Sequence, residues 1–213
     1  MQYFLNSEGA IVIKNVIKSI QLNKAYLSEI DGVIGDGDHG INMNKGFTMA
    51  GERLEEGQNF SDAAKILGQV LMMEIGGSMG PLYGSFFKQL FRETKNEEKI
   101  TASVFLKMLE SSLNVVKELG GAKVGDKTLV DTLSPALDAF KASVEKGNSF
   151  RKSLSHLVDA AKKGRDSTLE MVAKVGRSAR LGERSRGVLD AGAASSFIIL
   201  ETMSKSIIPI LKE

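Results

Sequence analysis

Apolar residues recur at intervals of three and four along most of the chain, a spacing that is typical of amphipathic helices. A clear example is the stripe Leu106, Leu109, Leu113 and Val116. Runs that alternate apolar with polar residues, as half-exposed strands do, are few. We therefore predict an all-α single domain of eight or nine elements. The predicted segments are a first helix beginning near Ser7, Ile41–Glu56, Ser61–Ile75 with Ser61 as N-cap, Pro81–Thr94 with Pro81 at the first helical position, Thr101–Leu119, Thr128–Gly147, Ser149–Gly164, a segment around Asp166–Val175, and Val188–Leu211.

Two apolar segments bear on the cellular location of the protein. Met1–Ile20 contains charged residues among its apolar ones, so it lacks the uninterrupted apolar core of a signal peptide. Ala191–Leu211 is interrupted by Glu201 and Lys205, which favours a buried helix over a membrane span. We expect a cytoplasmic protein that does not bind membranes.

The amino-acid composition limits the kinds of functional site that the chain can form. The 213 residues include no cysteine, which excludes a disulfide framework, a thiolate nucleophile and a cysteine zinc site. Any metal must therefore be bound by oxygen or histidine ligands, and a hard cation is favoured. Lys and Arg number 28 against 26 Asp and Glu, a balance that does not predict nucleic-acid or membrane binding. Functional charges must lie in local clusters.

Glycines are concentrated in four connections between predicted helices. Turns and helix C-caps account for part of them. Each connection also carries polar residues and leads into a predicted helix, so several helix N-termini could point at one anionic ligand. The four connections are Gly32–Gly40, Gly76–Gly84, Gly120–Gly125 and Gly176–Gly192.

The first connection and the residue before it carry three carboxylates, Asp31, Asp36 and Asp38, which we interpret as one flexible loop. Their charges would repel one another unless a divalent cation lies between them. Oxygen ligands suit magnesium or calcium, but the EF-hand pattern fails because Gly40 stands at its third ligand position. Magnesium beside glycine-rich helix starts favours a nucleotide phosphate as ligand. The alternative is that these residues only cap helices and shape turns.

The polar neighbours of this loop have two interpretations each. His39 could contact a phosphate or a carboxylate, or it could have a structural role. Asn42 could offer its amide to a phosphate or ribose, or it could cap the next helix. His156 lies on an ordinary helical stretch and is assigned a structural role.

The connection Gly76–Gly84 resembles an anion-binding loop, with small residues followed by Pro81 at a helix start. It is not a Walker A loop, because no Gly-Lys-Ser/Thr follows. The alternative is a close helix crossing that needs small residues.

The connection Gly176–Arg186 carries four guanidinium groups that could stabilise transferring phosphoryl charge. A solvated basic loop and an RNA-binding strip are the alternatives, and the lack of aromatic stacking residues disfavours nucleic acid. The four residues are Arg177, Arg180, Arg184 and Arg186.

Taken in order, these motifs resemble those of the dihydroxyacetone kinase L subunit family, and the resemblance covers nearly the whole chain. The matching segments are Asp31–Met43, Gly76–Gly84, Gly125–Asp131 and Gly176–Ser185, followed by Asp190 and Gly192. The resemblance implies an eight-helix antiparallel barrel. It also implies that the loops at one end of the barrel bind ADP or ATP through two magnesium ions.

The resemblance also implies roles for individual residues. Arg177 is expected to stabilise the charge of the transferred phosphoryl group, and it is the one residue given a catalytic role. The implied magnesium ligands are Asp31, Asp36 and Asp38, and the implied nucleotide contacts are His39, Gly40, Ile41, Asn42, Ser78, Met79, Gly120, Leu129, Arg177, Asp190, Ala191 and Gly192. Met79, Pro81, Arg180 and Ala191 depart from the family pattern.

In functional terms the resemblance implies a kinase subunit that passes phosphate to dihydroxyacetone, which a histidine of a separate K subunit holds covalently. Neither histidine of this chain is expected to bind the sugar. The phosphate would come from Mg-ATP, or from bound ADP that a phosphotransferase-system M subunit rephosphorylates. A homodimer is compatible with this role. The alternatives are an L-type subunit for another acceptor, such as a different short sugar or a fatty acid, and a non-catalytic nucleotide-binding regulator, which the intact Asp triad disfavours.

Overall fold

The computed structural model describes residues 1–213 and consists almost entirely of helices, which confirms the all-α prediction. The helices are α1 Ala10–Leu22, α2 Lys24–Ile34, α3 His39–Glu52, α4 Phe60–Glu74, α5 Met79–Thr94, α6 Ala102–Gly120, α7 Val130–Glu145, α8 Phe150–Ser167 and α9 Ala191–Ile207. Two short strands, β1 Tyr3–Leu5 and β2 Lys99–Thr101, pair antiparallel, and 3₁₀ turns cover Asn6–Glu8, Ser178–Ser185 and Ile208–Ile210.

Helices α1 and α2 act as one bent helix. A single residue, Asn23, separates them, and its Nδ2 donates to the carbonyl of Ser19 at 2.8 Å. A side chain that takes up a helix carbonyl in this way is a known cause of bending. Both α1 and α2 pack against α3 and α9. The sequence prediction missed α2, because its last turn carries Asp31 and Gly32 and was interpreted as loop.

With α1 and α2 counted together, eight helices form a closed ring. Each helix contacts the next in chain order, and α9 returns to α1. Helices that are neighbours in a bundle and joined by short connections run antiparallel. The eight-helix antiparallel barrel is therefore confirmed. Because direction alternates, α3, α5, α7 and α9 all begin at one end, which we call the loop end, and the opposite end is the closed end.

The barrel interior is filled by one cluster of 46 buried apolar residues. Most residues of α9 are buried, and this helix contacts α1, α2, α7 and α8. The stretch Ala191–Ile210 is long and apolar enough to cross a bilayer by length and composition alone. Of its apolar window, 67% is buried inside the fold, which agrees with the interpretation as a buried helix.

The closed end is held by aromatic packing and backbone pairing. The rings of Phe105, Phe140 and Phe150 lie with centroids 5.1 to 6.0 Å apart. The strand β1 pairs with β2 on one side, and Tyr3 bridges to Lys212 on the other. The two chain ends are thereby fixed beside each other.

The predicted helix starts at Ile41, Thr128 and Val188 lie two or three residues from the observed starts at His39, Val130 and Ala191, and three more need correction. The first helix begins at Ala10, since Ser7 lies in a 3₁₀ turn. Asn59, not Ser61, caps α4 by accepting from the amide of Asp62 at 2.7 Å. Helix α5 begins two residues before Pro81, which occupies the first turn, where a backbone amide has no helical partner.

The predicted element around Asp166–Val175 was wrong. Helix α8 continues to Ser167, and the chain then forms turns without a further α-helix until α9. His156 lies on α8 with its Nδ1 3.0 Å from Ser143 Oγ, which agrees with the structural role assigned to it.

Candidate functional site at the loop end

Three carboxylates meet where α2 gives way to α3. Asp31 lies in the last turn of α2, and Asp36 and Asp38 follow in the connection. One oxygen from each side chain lies within 4.8 Å of the others. The sequence interpretation of one loop is corrected, since Asp31 is helical, but the structure does bring the three residues together.

Glycines make this approach possible. A side chain at Gly35 would place its Cβ 2.4 Å from Asp31 Oδ1, and one at Gly40 would meet the carbonyl of Lys24 at 2.1 Å. Gly37 has φ +76°, a left-handed conformation that favours glycine. The glycines of this connection therefore allow the turn to wrap closely against α2.

The capping interpretation holds for one of the three carboxylates. Asp31 Oδ2 accepts a hydrogen bond from the amide of His39 at 3.2 Å and so caps α3 from the preceding helix. Asp38 occupies the N-cap position of α3 without a side-chain cap bond. Capping therefore leaves the side chains of Asp36 and Asp38 unexplained.

Arg177 joins the basic connection to the acidic one. Its Nη1 contacts Asp36, and it lies 3.7 Å from Asp38 Oδ2. All three side chains are partly exposed, so the pairing contributes little to stability. Its importance is positional, because it places a guanidinium directly beside the carboxylate cluster.

The donor set of Asp31, Asp36 and Asp38 fits a hard divalent cation. All the ligand atoms are carboxylate oxygens, and the cluster is open to solvent on one side. Magnesium binds oxygen at about 2.0–2.1 Å and usually keeps waters or takes phosphate oxygens as further ligands. The residues present therefore suit magnesium better than a soft metal.

A buried polar network connects the starts of three helices. His39 Nε2 lies 2.9 Å from Ser195 Oγ, and Tyr83 Oη lies 2.6 Å from the same oxygen. Tyr83 Oη also donates to the carbonyl of Gly192 at 3.2 Å. The first turns of α3, α5 and α9 are thus fixed relative to one another.

Burial sets the protonation of this network. It lowers the pKa of His39 to about 4, although the negative charge of Asp31 opposes the change. It raises the pKa of Tyr83 to about 12, against the effect of hydrogen bonds from Ser195 and Ser196. At neutral pH both rings are therefore uncharged, and the imidazole of His39 faces Ser195. Sequence reasoning missed Tyr83 and Ser195, because neither stands out within its helix.

The start of α9 meets the start of α7. Asp190 caps α9 by accepting from the amide of Ala193 at 2.7 Å, and Thr132 donates to the carbonyl of Ala193 at 3.0 Å. A side chain at Gly192 would place its Cβ 3.4 Å from the amide nitrogen of Leu129. Burial raises the pKa of Asp190 to about 7. Four helix N-termini therefore converge at the loop end.

Of the two interpretations of the second glycine connection, the close helix crossing agrees with the structure and anion binding stays a prediction. Nothing lies within 4 Å of a Cβ added at Gly76 or Gly77, so this half of the connection is open. A Cβ at Gly84 would lie 2.9 Å from the carbonyl of Gly68, so this glycine serves a close crossing of α4 and α5. Pro81 removes one backbone amide from the first turn of α5.

The remaining predicted contacts also lie at the loop end. Gly120 ends α6, where an added Cβ would lie 3.4 Å from Leu82 of α5. The others occupy helix starts: Gly40, Ile41 and Asn42 in the first turn of α3, Ser78 and Met79 at the start of α5, and Ala191 at the start of α9.

Sequence reasoning missed two buried charged residues that follow the third glycine connection, one just before α7 and one in its first turn. Asp131 accepts from the amides of Gly125 at 2.6 Å and Thr128 at 2.7 Å. Lys127 is 1% exposed and donates to backbone carbonyls of the segment that precedes α9. Both residues lie in the segment Gly125–Asp131 that matches the family, and that match was the available signal.

Similarity to known proteins decides the family. The DAK2 domain model matches residues 33–205. A Listeria innocua protein named "PEP-dependent dihydroxyacetone kinase 2, ADP-binding subunit DhaL" is 34% identical over 204 residues, which cover 92% of this chain and 94% of that protein. The chain belongs to the dihydroxyacetone kinase L subunit family. A Lactococcus lactis L subunit, named as the ADP-binding subunit of a PTS-dependent dihydroxyacetone kinase, is 37% identical over 188 residues, 87% of this chain and 90% of the relative.

Solved structures agree with the L-subunit fold. The dihydroxyacetone kinase of C. freundii superposes with a TM-score of 0.72 at 24% identity, covering 94% of this chain. This chain spans 34% of that enzyme, about a third of its length. The same enzyme has been solved with AMP-PNP and Mg²⁺.

Proposed function

We propose that this chain is the nucleotide-binding phosphotransferase subunit of a dihydroxyacetone kinase. It holds ADP or ATP with two magnesium ions and passes phosphate to dihydroxyacetone on a separate K subunit. The observation that carries this proposal is the cluster of Asp31, Asp36 and Asp38 beside Arg177, at the end of the barrel where four helices begin.

The chemistry of phosphoryl transfer supports this assignment. Catalysis of this reaction is mainly positioning and charge neutralisation. Bound magnesium supplies that neutralisation at the phosphates. The three carboxylates would hold the metal, the amides left free at the starts of α3, α5 and α9 would bind phosphate oxygens, and Arg177 would stabilise charge on the transferred group.

The relatives support nucleotide binding in particular. The Listeria and Lactococcus proteins are named as ADP-binding subunits. The C. freundii enzyme, which shares the fold, has been solved with a nucleotide analogue and Mg²⁺. In this chain, the nucleotide contacts are the residues that the family resemblance implies, all of which lie at the loop end.

The surface around the cluster supports docking of a K subunit. Five exposed apolar side chains lie at the loop end and none of them belongs to the barrel core. Exposed apolar groups that gather beside a site mark protein-binding surfaces. They are Val33, Ile41, Met73, Leu119 and Val124, with exposed fractions of 53% to 78%.

For the phosphate source, we propose that an M subunit of the phosphotransferase system rephosphorylates ADP in place. Relatives named as PEP-dependent and PTS-dependent support this over free ATP. A cytoplasmic location and a homodimer stay predictions, and light scattering of the purified chain measures the latter.

Nucleotide binding is tested by calorimetry with Mg-ADP. We expect the wild type to bind and Asp36→Asn to weaken binding by about a hundredfold, because one carboxylate ligand of the metal is lost. Asp159→Asn is the matched control, since Asp159 is an exposed carboxylate on α8 away from the cluster. A wild type that binds no Mg-ADP would refute the proposal.

Phosphate transfer is tested by adding a K subunit, with and without an M subunit and a phosphoryl donor. Dihydroxyacetone is compared with erythrulose, because a Pectobacterium atrosepticum L-erythrulose kinase is 32% identical over 94% of this chain, which spans 33% of that enzyme. Transfer to erythrulose alone favours another acceptor. Nucleotide binding without transfer to any acceptor favours the regulator.

A further inference from the structure

Arg177 lies on a long connection that must nevertheless hold its guanidinium beside two carboxylates. Between α8 and α9 the chain has no α-helix and a single 3₁₀ turn, Ser178–Ser185. We call residues 171–188 the Arg loop. A one-ångström displacement of a charged group can cost a large factor in rate or affinity, so something must fix this loop.

The two stems of the Arg loop meet at one ammonium group. Lys127 Nζ donates to the carbonyl of Met171 on the first stem at 3.2 Å. On the second stem it donates to the carbonyls of Ser185 at 2.5 Å and Val188 at 2.6 Å. An ammonium has three protons, and all three are used here. Lys127 therefore has no donor left for a ligand.

The backbone conformation around Lys127 directs this side chain towards the Arg loop. Lys127 has φ +62°, the only positive φ in the chain outside glycine. The carboxylate of Asp131 holds the turn by accepting from the amides of Gly125 and Thr128 on either side. A further tie runs from the amide of Lys174 in the Arg loop to the carbonyl of Asp126 at 3.1 Å. An unfavourable conformation that its surroundings hold in place is typical of functional sites.

We propose that Lys127 is the positioning residue for Arg177. Its ammonium ties the two stems of the Arg loop together and so holds the guanidinium beside Asp36 and Asp38. The consequence for nucleotide binding rests on the proposed function, whereas the consequence for loop order does not.

Two variants separate the ammonium from the backbone conformation. Lys127→Met keeps a long side chain and removes the charge, and Lys127→Gly removes the charge while relieving the positive φ. Lys123→Met is the matched control, because Lys123 is an exposed lysine of the same connection. If Lys127→Met does not fold, Lys127→Gly is measured instead, because glycine adopts the positive φ without strain.

Hydrogen exchange of the metal-free protein tests the loop directly. We expect amides of residues 172–186 to exchange about tenfold faster or more in both Lys127 variants, because three charge-assisted bonds are lost. Exchange in α1 and in the Lys123→Met control should not change. Unchanged exchange in the Arg loop, or faster exchange in Lys127→Met but not in Lys127→Gly, would overturn the proposal.

A double-mutant cycle tests the action through Arg177. We expect Lys127→Met to weaken Mg-ADP binding by about tenfold in the wild type and by less than about twofold in an Arg177→Ala background. An equal effect in both backgrounds would show that Lys127 does not act through Arg177. If the wild type binds no Mg-ADP, the proposed function fails, and the exchange experiment alone decides whether Lys127 orders the Arg loop.

Discussion

At the closed end, aromatic rings pack together and strands pair along their backbones, whereas at the loop end charged and polar side chains bond to backbone groups. Phe105, Phe140 and Phe150 illustrate the first kind of contact, and Asp131 and Lys127 the second. Apolar packing contains no titratable group or metal ligand, whereas charged hydrogen-bonding groups respond to pH and to bound ions. Apolar contacts therefore hold one end of the barrel, and the other end carries the charged cluster.

The largest expected effect is on stability at the closed end. Phe105→Ala should lower the free energy of unfolding by about 3–5 kcal/mol, because it leaves a cavity between Phe140 and Phe150. Urea denaturation measures this loss. Phe91→Ala, at a half-exposed ring, is the control and should cost less. The affinity of the folded variant for Mg-ADP should be unchanged, and a large loss of affinity would show that the two ends are not separate.

A smaller loss is expected from the polar network at the closed end. Asn6 Nδ2 lies within hydrogen-bonding distance of Ser61 Oγ and of the carbonyls of Thr94 and Glu97. Asn6→Ala leaves these buried groups without this donor and should cost about 2 kcal/mol in urea denaturation. Asn148→Ala, at a more exposed position, should cost less. A neutral Asn6→Ala would mean that ring packing and strand pairing suffice at this end.

Magnesium alone should stabilise the loop end. At about ten times its dissociation constant it should add about 1.4 kcal/mol and raise the melting temperature by about 3–6 °C. Asp38→Asn should abolish most of this rise, whereas Asp62→Asn, at the start of α4 at the closed end, should retain it. An equal rise in all three proteins would place the magnesium site elsewhere.

The last prediction concerns the pH dependence of stability in the metal-free protein. Burial raises the pKa of Asp190 to about 7, from an ordinary value of 3.8. The folded state therefore holds a proton that the unfolded state has lost, so this group makes stability fall as pH rises from about 4 to 7. Asp190→Asn cannot lose that proton, so its melting temperature relative to wild type should increase from pH 5 to pH 8. A constant difference would contradict the raised pKa.

The sequence was most informative where one physical rule decided the outcome. The stripe on α6 predicted a helix because apolar spacing alone fixes it, and the structure gives Ala102–Gly120 for the predicted Thr101–Leu119. The spacing rule failed for Lys24–Ile34, where carboxylates and glycine hide a helical turn. It also failed after Ser167, where the Arg loop depends on Lys127, a contact more than forty residues away.

The candidate site also has parts that the sequence could predict and parts that it could not. The clustering of Asp31, Asp36 and Asp38 could be anticipated because the residues are close in sequence and repel one another. The contact between Arg177 and Asp36 could be expected only from charge balance, because the two are brought together by the whole ring. The network of His39, Tyr83 and Ser195 had no sequence signal, since it depends on which faces of three helices point inward.

The pairing of Tyr3 with Lys212 places the two chain ends side by side, and Gln2 Nε2 donates to Glu213 Oε1 at 3.0 Å. A short linker could therefore join residue 1 to residue 213, and circular permutation becomes practical. Both ends lie at the closed end, far from the carboxylates. A surface tether or fluorescent fusion attached at either terminus would leave the loop end free for binding measurements.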